Sequence, residues 1–125
     1  MAKTLAMQRS LRYLEGQGWQ CARVERWQMR PQAKFGVRID VWQFGDVLAC
    51  RVDPSSGEGM IALIQTFPLT SWKAHAEKVQ EPEIKAAMDN WKAAGGIVLF
   101  HGWALKPKDG IRGAKKVWTL KEMQL

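Results

Sequence analysis

The sequence predicts an α/β domain, a mixed central β-sheet flanked by helices in the order αβββαβ. Three observations lead there: an amphipathic helical start, three β-rich stretches in succession, and a helical stretch followed by a strand that is apolar on both faces. The 125 residues suit one domain spanning 1–125, and no shift in composition marks a second.

The elements follow in order. Leu5, Leu11 and Leu14 recur at helical spacing between Thr4, a plausible N-cap, and Glu15, with Gly16 and Gly18 as the stop. Trp19 to Trp27 is rich in β-formers and reads as the first strand. Pro31 and Gly36 mark a loop after it. Val47–Val52 and Met60–Thr66 read as a hairpin around the turn-forming run Asp53, Pro54, Ser55, Ser56 and Gly57. A helical stretch runs from Ser71, a possible cap, to about Gln80. Pro82 then opens a second helix whose Ile84, Met88 and Trp91 share a face, and Gly95 and Gly96 end it. Ile97–Trp103 is apolar throughout, as a strand covered on both faces should be. Lys115–Leu120 makes a short last strand, and the final residues suit a helical turn.

Composition narrows the function classes. The apolar share of 46% and charged share of 25% are those of a globular protein. The apolar run from Gly95 to Phe100 is far short of the roughly 20 residues a membrane span needs. The N-terminal residues turn polar too early for a signal peptide, so a cytosolic location, bacterial or in a phage-infected host, is expected. Cys21 and Cys50 read as reduced core thiols, and no Cys or His spacing suits zinc.

Charge is more telling. Nineteen Lys and Arg face twelve Asp and Glu, for a formal net charge of +7. The excess is clustered. Arg23, Arg26, Arg30, Lys34 and Arg38 stand against Glu25, and Lys106, Lys108, Arg112, Lys115 and Lys116 stand against Asp109. Basic clusters among Gly, Pro and aromatic residues suit phosphate contacts, so nucleic acid is the expected partner. Seven Trp exceed what a core this size normally holds. Most should pack inside, while Trp42 and Trp72 could stack on an unpaired base. His75 reads as polar surface and His101 as a satisfied core residue.

The order of elements resembles the PD-(D/E)XK nuclease superfamily, and within it the Holliday junction resolvase-like branch. Phe44-Gly45-Asp46-Val47-Leu48-Ala49 resembles that branch's F-x-D-[LV]-[LV]-A segment, and Ile61-Ala62-Leu63-Ile64-Gln65 resembles the apolar run leading to its [EQ]-x-K. Arg38 to Asp46 is similar to the Arg-x-Asp-Leu-Phe-Gly-Phe-x-Asp pattern of small phage and bacterial nuclease-like proteins, as are Gly95-Gly96 and His101-Gly102-Trp103. The resemblance implies a restriction-endonuclease-like core and metal-dependent DNA cleavage with Mg²⁺ or Mn²⁺. It makes Asp46 a metal ligand and the Gln65 carboxamide a second oxygen ligand, with Asp40 and Glu25 able to add further oxygens. Branched or single-stranded DNA would be the substrate, and a homodimer would serve paired incisions.

The chain departs from the pattern at two places. Phe67 stands where the family has its Lys, and Gln8 and Arg9 occupy the part of the first helix where resolvases often carry a Glu. Lys73 or Lys78 from the following helix is the expected substitute cation. The alternative expectation is a catalytically inactive nucleic-acid-binding protein on the same fold. A protein-interaction domain is a third.

Overall fold

The computed structural model describes residues 2–30 and 35–125. It is an α/β domain whose five-stranded mixed sheet is flanked by helices on its two faces. Helix α1 (Ala2–Gly16) leads into β1 (Gln20–Arg23), then a separate two-stranded ribbon of β2 (Arg26–Arg30) and β3 (Phe35–Ile39). Next come β4 (Val47–Val52), β5 (Gly59–Pro68), α2 (Trp72–Lys78), α3 (Pro82–Ala93), β6 (Gly96–Pro107) and β7 (Lys116–Gln124). The main sheet has the order β1-β4-β5-β6-β7. Among the described strands only β5 and β6, joined by the α2–α3 crossover, run parallel.

The strand alternation assigns each face. Val47, Ala49, Ala62, Ile64 and Leu99 turn toward Met7 and Leu14 of α1. Leu63, Phe67, Val98 and Phe100 turn the other way, onto Val79, Ile84 and Met88 of the α2–α3 layer. β6 is central, and Val98 to Trp103 are all buried, as its apolar sequence predicts.

Local chemistry sets the breaks. At the end of α1 the Gly18 N–H donates to the Glu15 carbonyl and the Trp19 N–H to that of Leu14. Gly18 has φ +91, the left-handed cap that a glycine takes without strain. Pro82 occupies the first turn of α3, where no N–H is needed. The Trp91 indole donates to the Ile97 carbonyl at 2.8 Å and lies so close over Gly96 that a Cβ there would collide with the ring.

Several expectations are corrected. The stretch 19–27 is two strands, β1 in the main sheet and β2 outside it, because residues 24 and 25 leave the sheet between them. The segment around Gly36 is β3, not loop; Gly36 fits there because the Trp27 ring crosses it where a Cβ would stand. Helix α1 begins at Ala2, so Thr4 lies inside it, and Ser71 makes no side-chain cap. The chain end continues β7 to Gln124 instead of turning helical, because the twelve-residue β6 offers a partner along its length. Cys21 and Cys50 are free thiols, but Cys21 is half-buried and Cys50 exposed. Cys50 shares a hollow of about 370 Å³ with Leu48, Ile61 and Trp91 on the sheet. No helix among the described residues is long and apolar enough to cross a membrane.

Candidate metal centre

A tight turn brings the first two carboxylates together. Val41 and Gly45 bridge, with Val41 N–H to Gly45 O at 2.7 Å and the return bond at 3.1 Å. Trp42 and Gln43 sit between them with φ of +48 and +65, left-handed values that cost a non-glycine residue about 1 kcal/mol or more each. Asp40 precedes this turn and Asp46 follows it. The reversal folds the two acids back onto one another.

The sheet then locks Asp46. Its N–H donates to the Ile64 carbonyl at 3.0 Å, and its own carbonyl accepts from Val24 at 3.1 Å. The side chain is fully buried, with Oδ1 accepting the Thr66 N–H at 3.1 Å and Oδ2 accepting the Thr66 hydroxyl at 2.8 Å. Buried carboxylates need such donors, and both come from one residue of β5. Gln65, next to it, is also buried and donates from Nε2 to Asp40 Oδ2 at 2.9 Å. Its amide nitrogen is thus turned to Asp40, leaving the carbonyl end of the carboxamide as the candidate ligand atom.

Glu25, in the crossing between β1 and β2, completes the group. One carboxylate oxygen each from Glu25, Asp40 and Asp46 lies within 4.8 Å of the others, with Asp46 buried and the other two half-buried. Hard divalent cations take such oxygens. Neighbouring ligands on octahedral Mg²⁺, at about 2.1 Å each, stand about 3.0 Å apart, so the three oxygens would draw in by about an ångström each to close on an ion. The donor set fits Mg²⁺ or Mn²⁺ and contains no soft ligand.

The other expected site residues are distributed unevenly. Arg23 and Arg26 flank Glu25 and line a hollow of about 270 Å³ with Met7 and Trp27. Arg23 Nε lies 3.0 Å from the Met7 sulfur. Arg30 and Arg38 stand on β2 and β3, where the backbone alone is described, and Lys34 lies outside the described residues. Lys106, Lys108, Arg112, Lys115 and Lys116 form the far end of the β6–β7 ribbon and its turn, all exposed.

Position 67 carries no cation. Phe67 is buried, stacked on His75 at 4.2 Å between ring centroids and edge-on to Trp72 and Phe100. His75 is therefore half-buried packing rather than surface. Lys73, expected as the substitute, is 90% exposed and faces Glu77 at 3.9 Å, and Lys78 is half-buried in the last turn of α2. Trp72 packs over Gly102 with the Lys121 ammonium 4.0 Å above its ring. Trp42 is 53% exposed and stacks beside Phe44.

His101 is the satisfied core residue that the sequence indicates; the role of Thr66 and the partners of His101 are what sequence reasoning misses. Thr66 becomes the holder of Asp46 only through the β4–β5 register, which pairs Val47 with Ile64. His101 is buried between Ser10 Oγ and Glu122 Oε2, each at 2.8 Å, and Ser10 Oγ also accepts the Trp103 indole N–H at 2.8 Å. Nδ1 faces the Ser10 hydroxyl and Nε2 faces Glu122, with the donor and acceptor roles set by the tautomer. Burial pushes the ring's pKa below 6.5, against the opposing pull of Glu122.

Comparisons with known protein families, with characterised proteins and with solved structures return no significant match.

Proposed function

We propose that the chain is a metal-dependent DNA endonuclease of resolvase-like type, cleaving phosphodiesters with Mg²⁺ or Mn²⁺ bound by Asp46, Asp40 and Glu25. The observation that carries this reading is the convergence of those three carboxylates within 4.8 Å at the sheet end, one of them fully buried. A bound divalent ion there would polarise the phosphate and supply hydroxide near neutral pH. The chain's own residues do the positioning. Thr66 orients Asp46, Gln65 orients Asp40, and the left-handed turn at Trp42 and Gln43 holds both acids at one point. Arg23 and Arg26 beside Glu25 suit phosphate oxygens, and the +7 net charge draws a polyanion in. Branched or single-stranded DNA is the proposed substrate. Paired cuts at a branch would call for a homodimer, and a cytosolic setting goes with this role.

One observation favours a second reading. With Phe67 committed to the core, the pattern's cation is missing at its usual place. A DNA-binding protein that has lost cleavage would look the same. Incubation with branched, single-stranded and duplex DNA, in Mg²⁺, Mn²⁺ or EDTA, separates the two. The nuclease reading expects cutting that EDTA and Asp46→Ala each abolish. Shifted but uncut DNA in every lane would replace it with the binding reading.

A further inference from the structure

A groove of about 690 Å³ lies where α1 meets the β6–β7 ribbon. Tyr13 lines it from α1, Trp103, Lys106 and Lys108 line it from β6 and the turn that follows, and Trp118 lines it from β7. Trp118 is 47% exposed, an unusual position for an indole on an edge strand. The Arg9 guanidinium stacks over one face of its ring, 3.4 Å from the centre, so a base would use the opposite face of this half-exposed indole. Around this platform the chain from 104 to 118 carries Lys106, Lys108, Arg112, Lys115 and Lys116 against Asp109. A half-exposed aromatic in an apolar groove edged by Lys106 and Lys108 against Asp109 matches the chemistry of an unpaired strand, which offers a base face and phosphates together.

The groove lies past the same end of the sheet as the carboxylates. His101 pairs with Thr66, the residue that holds Asp46, and projects toward Ser10 of α1. Leu105 lies four residues further along the same face of β6, and Trp118 is its partner on β7. At about 3.3 Å per residue and about 4.8 Å between strands, Trp118 stands about 13 Å beyond the level of Thr66 and about 10 Å to the side of it.

We propose that this groove binds an unpaired DNA strand, with a base stacked on Trp118 and the flanking phosphates held by Arg9, Lys106 and Lys108. The inference deepens the nuclease reading and rests on it for the identity of the polymer, while the stacking contact itself requires no cleavage.

The test measures binding by fluorescence anisotropy in EDTA, with labelled oligo-dT and a duplex of equal length, for the unaltered protein, Trp118→Ala and Trp118→Phe. Loss of one base stack should weaken oligo-dT binding about tenfold. Duplex binding should stay within about twofold, because phosphate contacts carry it. Phe should restore most of the loss. Equal losses on both substrates, or none on oligo-dT, overturn the proposal. Should Trp118→Ala fail to fold, ultraviolet crosslinking of a 5-iodouracil-substituted single strand to the unaltered protein decides it. Crosslinked peptides carrying Trp118 or Tyr13 support the groove, and crosslinks confined to other segments overturn it. Trp118-dependent binding by a protein that cuts nothing would sink the nuclease reading alone. Asp46-dependent cutting with Trp118→Ala indifferent would sink this groove alone.

Discussion

Three carboxylates converging without a cation should strain the fold, and the strain can be measured by removing one charge. Taking the 4.8 Å limit on their separation and an effective dielectric near 20, each pair of like charges repels by about 3.5 kcal/mol before screening. Glu25 and Asp40 are half-buried, so solvent and the neighbouring Arg23 and Arg26 screen them. A net gain of about 1 kcal/mol on Glu25→Gln is the expected remainder, which for a domain this size raises the melting temperature by about 4 °C. The same substitution should cost the protein its response to Mg²⁺. An ion at ten times its dissociation constant stabilises the unaltered chain by about 1.4 kcal/mol, since it binds only the folded state. Thermal melts of the unaltered protein, Glu25→Gln and Asp40→Asn, each in EDTA and in Mg²⁺, give all the comparisons. The expected pattern is higher stability in EDTA for both variants and a smaller gain from Mg²⁺. A Glu25→Gln variant that melts lower in EDTA and keeps the full Mg²⁺ gain would refute the reasoning, because its carboxylate would then belong to a separate ion pair.

Two further outcomes follow from the geometry. Gln43→Gly relieves a left-handed residue in the turn between Asp40 and Asp46. After the entropy cost of glycine, it should stabilise the fold by about 0.5 kcal/mol in urea titration while loosening the two carboxylates; a loss of stability would show that the turn is not strained. Because burial lowers the His101 pKa from 6.5, the unfolded chain takes up a proton at this ring before the folded one does. Its contribution is complete well above pH 6.5 and declines as the pH falls through and below that value, so stability should fall with acidification below about pH 6.5 more steeply in the unaltered protein than in His101→Gln, and equal slopes would exclude the role.

What the sequence revealed tracks how local each feature is. Pro82 at the start of α3, the turn between β4 and β5, and the apolar β6 are all set by neighbours in the chain, and all stand where the residues indicate. The β2–β3 ribbon was hidden because Gly36 and Pro31 are loop residues by propensity, and the reason Gly36 suits a strand is an indole nine residues earlier in the chain. Lys121, Glu122, Met123 and Gln124 are helix formers by propensity, yet they pair with Leu99 to Gly102 of β6, a contact that overrides local preference. The site divides the same way. Asp40 and Asp46 flank a short turn, so their proximity was readable, and Glu25 joins them only because the chain leaves the sheet after β1. Thr66 and Trp118 had no signal of their own. One depends on strand register and the other on a helix more than a hundred residues away in sequence.

The topology explains why binding and chemistry would share one end of the sheet. In a sheet with a parallel crossover, ligands gather at the carboxyl ends of the parallel strands, where connections diverge and leave a crevice. Here Gln65 and Thr66 sit near the carboxyl end of β5, Asp46 enters β4 beside them, and β6 runs past the end of β5 as a ribbon shared with β7. Beyond Trp103 no described strand pairs with the other edge of that ribbon, which leaves room for a groove. The acidic group and the basic ribbon therefore need no separate scaffolds. β6, which pairs with β5 alongside Thr66, extends outward with β7 to carry Lys106 and Trp118, and Lys108 in the turn between them. A polyanion held on the ribbon would have its backbone directed along β6 toward the three carboxylates, whose negative charge would otherwise repel it, and a bound divalent cation reverses that repulsion at the one place where a phosphate must approach.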